Sequence, residues 1–155
     1  MILETTEDDY VRLLLGAAPR HYQLADTPIS SPDILKMLAS VASRVWAGFS
    51  PASWLIVESG ELVGLCSITR PPKDGCVDIG YGIAPSRRGL GYATRAVGEI
   101  VRWASDRPDV AALTAETSTA NLASQRVLEA NGFVRTGERV DDEDGPLICW
   151  RYATI

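Results

Sequence analysis

Histidine and cysteine are scarce in this 155-residue sequence, and their scarcity removes whole classes of chemistry. Its three cysteines, Cys66, Cys76 and Cys149, are far apart and show no C-x-x-C spacing. That pattern excludes a disulfide framework and a thiol-based zinc site, and it fits reduced thiols packed as small core residues. The single histidine, His21, lies in a polar, proline-punctuated stretch from Gly16 to Pro32, where an imidazole is more often solvated than catalytic. No apolar run reaches membrane-spanning length, and the N-terminal MILETTEDD carries neither a basic segment nor a long apolar stretch. The expectation is a cytoplasmic protein with no signal peptide and no membrane partner. Positive charge is in deficit too. The formal net charge of −5 argues against a nucleic-acid partner and agrees better with a cationic substrate. What remains, 46% apolar and 23% charged residues without internal repeats or linkers, is one soluble domain over residues 1–155, able to build a core without metal or disulfide.

The most informative stretch is Asp78 to Arg102, DIGYGIAPSRRGLGYATRAVGEIVR. Asp78 to Ile83 has strand character, yet Gly80 and Gly82 remove side chains, as happens where a ligand or another backbone comes close. Pro85 ends the strand, and a basic, glycine-rich turn runs from Arg87 to Gly91. Ala93, Ala96, Val97, Ile100, Val101 and Ala104 then recur at helical spacing. A strand, a glycine turn and a helix in that order aim the free N–H groups of the first helical turn into one small space, which favours a phosphate. Arg87 and Arg88 add positive charge beside it. A P-loop is excluded, since no Gly-Lys pair exists, and both G-x-G pairs lack the third glycine of a dinucleotide fingerprint.

Around this centre the chain reads as one mixed α/β layer structure. A short strand over residues 1–6 leads to a helix capped by Thr6, and Ser31-Pro32-Asp33 opens a second helix that stops near Gly48. Residues 54–58 and 62–68 form a hairpin about Ser59-Gly60. Residues 110–117 form a strand parallel to the central one, because a helix crosses between them. A short helix over 121–130 closes at Asn131-Gly132, and residues 133–140 and 147–153 complete a hairpin around the acidic turn Asp141-Asp142-Glu143-Asp144.

Two motifs carry a family resemblance. Arg88-Gly89-Leu90-Gly91-Tyr92-Ala93, read as R-x-x-G-x-A, resembles the acetyl-coenzyme A pyrophosphate loop of the GNAT N-acetyltransferase superfamily. Asn121, Ser124, Leu128, Gly132 and Phe133, in the pattern N-x-x-S-x-x-x-L-x-x-x-G-F, are similar to that family's second signature, in the right order. The pattern is similar to the branch containing the ribosomal-protein-alanine N-acetyltransferases. The resemblance implies a GNAT fold: a mostly antiparallel sheet with a parallel, splayed strand pair around a central helix. It implies acetyl-coenzyme A as acetyl donor and a primary amine as acceptor, either a small molecule or a peptide N-terminus, with the protein a monomer or homodimer. Carried over residue by residue, Ile83 offers its backbone to the pantetheine and the thioester carbonyl, Arg88, Gly89, Leu90, Gly91, Tyr92 and Ala93 hold the pyrophosphate, and Asn121 and Ser124 border the cofactor on its other side.

Transfer then runs directly from thioester to amine, and a base is useful because the amine must be neutral to attack. Glu116, five residues before Asn121, stands where related enzymes carry a glutamate base, and Asp78 on the facing strand is the second candidate. Many family members carry a tyrosine seven residues after the asparagine to protonate the leaving thiolate. That place is Leu128 here, which leaves either Ser124 as the candidate acid or a thiolate, with a pKa of ~8.5, that departs with little help. A non-catalytic acyl-coenzyme A sensor of the same fold is the alternative.

Overall fold

The computed structural model describes residues 1–154. Strand β1 (Ile2–Glu4) leads into helix α1 (Glu7–Leu14), which Thr6 caps reciprocally: its hydroxyl accepts from the Asp9 N–H, and its own N–H donates to the Asp9 carboxylate at 2.8 Å. Ser31 caps α2 (Pro32–Trp46), with Pro32 in the first turn, where a missing N–H costs nothing. Between these helices the expected loop holds a two-residue strand, β2 (Gln23–Leu24), too short to leave any periodicity in the sequence. Then come β3 (Ser53–Glu58), β4 (Glu61–Ile68), β5 (Cys76–Ile83), a single 3-10 turn (Pro85–Arg87), α3 (Tyr92–Ser105), β6 (Ala112–Ser118), α4 (Leu122–Ala130), β7 (Val134–Asp141) and β8 (Gly145–Ala153). The β3–β4 turn has positive φ at both Ser59 and Gly60, as a two-residue hairpin connection requires.

The strands form one sheet in the order β1-β3-β4-β5-β6-β8-β7, with β2 alongside β4. Neighbours along the main path are antiparallel except β5 and β6, which α3 connects and which run parallel. The central strands are buried on both faces, which is why WLIV and LVGLC read as continuous apolar runs. Leu55 and Val57 of β3 pack with Leu13 of α1 and Leu35 of α2. Trp54 and Ile56, on the opposite face, join Val97 and Ile100 of α3 and Leu128 of α4, and Trp103 meets Trp54 edge-on at 5.0 Å. Each such side chain contributes roughly 1.5–3 kcal/mol by burial. The outer strand β7 is exposed along almost its whole length, so the sheet is held from its middle outward.

β5 and β6 share rungs from Cys76↔Ala112 to Ile79↔Ala115. Beyond that point Gly80 to Ile83 pair with β4, while Glu116 to Ser118 pair with β8. The two strands part and leave a notch.

Candidate active site

The β5 wall of the notch is lined by backbone. The Ala84 N–H donates to the Val63 carbonyl at 2.8 Å, which sets the alternation between β5 and β4. Gly82 is therefore bonded to β4, while Tyr81 and Ile83 turn their main-chain groups the other way, into the notch. A Cβ built on Gly82 would meet nothing within 4 Å, so the strand borders open space there. On the opposite edge of β5 the constraint reverses: a Cβ on Gly64 of β4 would lie 2.4 Å from the Gly82 carbonyl, and a side chain at Gly64 would push β5 out of place.

The turn after β5 depends on backbone that side-chain-bearing residues rarely adopt. Gly89 and Gly91 have φ of 78° and 80°. Gly91 caps α3 with no side-chain hydrogen bond, and the N–H groups of residues 91–94 find no acceptor among the described residues. Four donors at the positive end of a 14-residue helix favour an anion. Arg88 is exposed and folds back so that its Nε donates to the Ile83 carbonyl at 3.1 Å. Arg87 departs from expectation. It binds both Glu61 carboxylate oxygens, at 2.6 and 3.1 Å, and Asp26 at 3.1 Å, fastening the loop between α1 and α2 instead of facing the glycine turn.

The other wall begins with α4. Asn121 caps the helix, its Oδ1 accepting from the Ser124 N–H at 3.1 Å. The Ser124 hydroxyl lies 2.8 Å from the Tyr81 hydroxyl, so a hydrogen bond spans the notch from β5 to α4. Burial pushes the Tyr81 phenol up to about 12. Leu128 is fully buried in the core.

On the opposite face of the sheet lie the two carboxylates. Asp78 is buried and held tightly: Thr69 donates to one oxygen at 2.5 Å and Thr114 to the other at 2.6 Å, with Arg70 at 3.6 Å. Glu116 sits two residues beyond Thr114, where β6 has left β5. Arg139 of β7 grips both its oxygens, one at 2.9 Å, and the Cys149 thiol donates to it at 3.7 Å. The Arg139 hydrogen bonds outweigh burial and hold the Glu116 carboxyl below its usual range. Burial, reinforced by Glu116, raises the Cys149 thiol and keeps it neutral. Cys66 is a buried core residue as expected, whereas Cys76 and Cys149 are half-buried. His21 is exposed in the loop and lies beside Tyr22, the ring centroids 4.4 Å apart and the planes tilted by 38°.

Residues 1–134 match the family model described as "Acetyltransferase (GNAT) domain". The chain belongs to the GNAT acetyltransferases. It is 35% identical over 105 residues to the uncharacterized N-acetyltransferase YjdG of Bacillus subtilis (strain 168), a match covering 66% of this chain and 60% of that protein. The chain thus spans about 60% of the length of the curated relatives it matches. Among solved structures, RimL, a ribosomal alpha-N-protein acetyltransferase in complex with coenzyme A, aligns with a TM-score of 0.74 at 18% identity, covering 98% of this chain and 92% of the other. AAC(6')-Ib in complex with paromomycin and acetyl-coenzyme A aligns with a TM-score of 0.69 at 19% identity, covering 99% and 92%. The GNAT fold inferred from the motifs, with its parallel β5–β6 pair in a mostly antiparallel sheet, is the fold observed. No helix among the described residues is long and apolar enough to cross a membrane.

Within this GNAT scaffold the notch gathers Ile83, Tyr81 and the 88–93 turn on one wall and Asn121 and Ser124 on the other, with Glu116 at its far edge on the opposite sheet face. Sequence reasoning did not find Tyr81 or Arg139. Both act through partners more than twenty residues away, and only the strand register brings those partners near.

Proposed function

We propose that the chain is an acetyl-coenzyme A-dependent N-acetyltransferase that passes an acetyl group directly to a primary amine, with no acetyl-cysteine stage. The observation carrying this reading is the parting of β5 from β6 beside a helix N-terminus whose N–H groups find no acceptor among the described residues. Acetyl-coenzyme A fits the residues present: a pyrophosphate needs converging N–H donors, and a slender pantetheine needs free strand edge beside a residue without a side chain, here Gly82. When bound, it supplies the acetyl group as a thioester. Arg88 to Ala93 hold the pyrophosphate. The Ile83 backbone meets the pantetheine and directs its N–H at the thioester carbonyl, and Asn121 and Ser124 close the other side.

Glu116 takes the amine's proton through water, with Arg139 yielding as it does so. Arg139 is about half exposed, so water can take over its hydrogen bonds as it moves away. A lysine-type amine near ~10.4 costs about 4–5 kcal/mol to deprotonate at pH 7, and an α-amine near ~8 about 1 kcal/mol. A carboxylate held below its ordinary range is a weak base, so the α-amine of a peptide N-terminus or a small amine of similar basicity is the acceptor it serves at least cost. Asp78 anchors β5 to β6 and the residues before it. Three unpaired cysteines fit a reducing cytoplasm.

Incubation with acetyl-coenzyme A and a panel of amines and N-terminal peptides, read as free thiol, tests the proposal. Thiol released with an α-amine supports it. Coenzyme A binding with no release for any amine leaves the sensor reading, which the buried Leu128 and the tethered Glu116 favour.

A further inference from the structure

We propose that Tyr81 is a positioning residue for the leaving sulfur, acting through Ser124, an inference that rests on the acyl-transfer reading of the same notch. Leu128 occupies the place on α4 where many relatives carry a phenol, and it is sealed in the core. A phenol reaches the notch from the opposite wall instead. Tyr81 projects from β5 beyond the last rung shared with β6, spans the gap and sets its hydroxyl 2.8 Å from Ser124 Oγ and 3.2 Å from the Ser124 carbonyl. Asn121 Oδ1 fixes the Ser124 N–H from within α4.

A serine hydroxyl in a helix can bond a nearby main-chain carbonyl of its own segment. Ser124 makes no such bond among the described residues, and its oxygen faces Tyr81. The phenol, pushed up to about 12 by burial, stays protonated at working pH and can always donate. The phenol's single hydrogen is within reach of both the Ser124 carbonyl and Oγ, and when it goes to the nearer Oγ the serine's own hydrogen is free to point into the notch. In the transfer the amine nitrogen–carbon bond forms, the carbon–sulfur bond breaks and its electron pair stays on sulfur. Ser124 meets that charge with a hydrogen bond; Glu116 has taken the ammonium proton before attack, and the second proton, lost by nitrogen as the amide forms, reaches the thiolate through water. The phenol that is missing from α4 is thus replaced by a two-hydroxyl unit drawn from both walls.

The thiol acidity of bound coenzyme A reads this arrangement without any acceptor. A hydrogen bond aimed at a thiolate lowers the thiol's pKa, so removing it raises that pKa. Coenzyme A is titrated on the full chain by the ultraviolet absorbance of the thiolate, in wild type, Tyr81→Phe and Ser124→Ala, with affinity measured alongside. The expected result is a bound thiol about tenfold less acidic in each variant, about one pKa unit, read at coenzyme A concentrations that saturate each protein. The double variant should shift no further than either single one. An unchanged thiol pKa in either variant overturns the proposal, as does a shift in Tyr81→Phe that Ser124→Ala does not share. Ser124→Ala, in the partly exposed first turn of α4, probes the same sulfur even if Tyr81→Phe fails to fold. Failure of the wild type to bind coenzyme A would instead remove the acyl-transfer reading, and this inference with it.

Discussion

Along β5 and the first turn of α3, the groups presented to the notch are main-chain N–H and C=O, exposed because Gly82 has no side chain and Gly89 and Gly91 adopt positive φ. Along β6, β7 and β8 the presented groups are side chains already committed to one another, Glu116 to Arg139 and Cys149, while Asp78 at the base of β5 is held by Thr69, Thr114 and Arg70. On the proposed reading, the first wall meets an unvarying ligand with backbone alone. The second holds its charges in pairs that an incoming cation can rearrange, which suits an acceptor that differs between relatives. Substitutions on the second wall should therefore change turnover or acceptor use and leave coenzyme A affinity alone.

The largest such effect is expected at Glu116. Glu116→Gln keeps the shape and removes proton acceptance, so turnover should fall about 10²–10⁴-fold with coenzyme A affinity unchanged; a loss of coenzyme A affinity instead would merge the two walls. Asp78→Asn should act on stability more than on chemistry. Its buried carboxylate accepts from two hydroxyls, and an amide NH₂ facing a hydroxyl donor costs about 1–3 kcal/mol. Thermal melting should show that loss, and a rate defect larger than that of Glu116→Gln would move the base to Asp78.

Arg139→Gln sharpens the comparison at smaller amplitude. Glu116 is held below its ordinary value, so the ion pair's stability is fully present above the unfolded carboxyl value near ~4.3 and is lost as pH falls through the lower folded value. In Arg139→Gln the Glu116 carboxyl should titrate at higher pH by NMR, and acid unfolding should lose that increment. An unshifted Glu116 would mean that Arg139 does not govern it. The smallest effect is expected at the β7–β8 turn. Asp141 is already engaged, accepting from the Asp144 and Glu143 N–H groups and pairing with Arg139, which leaves Asp142, Glu143 and Asp144 exposed. Neutralising all four acids should raise the acceptor KM severalfold at low salt and flatten its salt dependence, since screening shortens from about ~10 Å at 0.1 M to ~3 Å at 1 M. Equal KM values at low salt would leave the loop a solvated turn.

The same contrast explains what the sequence made legible. The glycine turn, the uncapped helix and the parallel strands are written in local spacing, because Gly89, Gly91 and Pro85 act on their own backbone, and the α4 signature likewise lies within one short segment. The partners of the carboxylates are not local. Arg139 reaches Glu116 through the β6–β8–β7 register, and Thr114 reaches Asp78 through a rung of the β5–β6 pair. Arg87 misled for the same reason: its charge sits beside the turn in sequence, yet Glu61 and Asp26 claim it in space. Tyr81 meets Ser124 only across the splay, 43 residues away in sequence.

Calorimetric titration of coenzyme A into the wild-type chain and into Gly91→Asp tests the central claim most directly. An aspartate at φ of 80° is strained and sets a carboxylate against the N–H groups proposed to hold the pyrophosphate. Binding by the wild type with affinity reduced at least about 100-fold in Gly91→Asp, while both chains melt cooperatively, is the predicted result, a difference of roughly 2.7 kcal/mol. Equal affinity in the two proteins would place the cofactor elsewhere and contradict the claim.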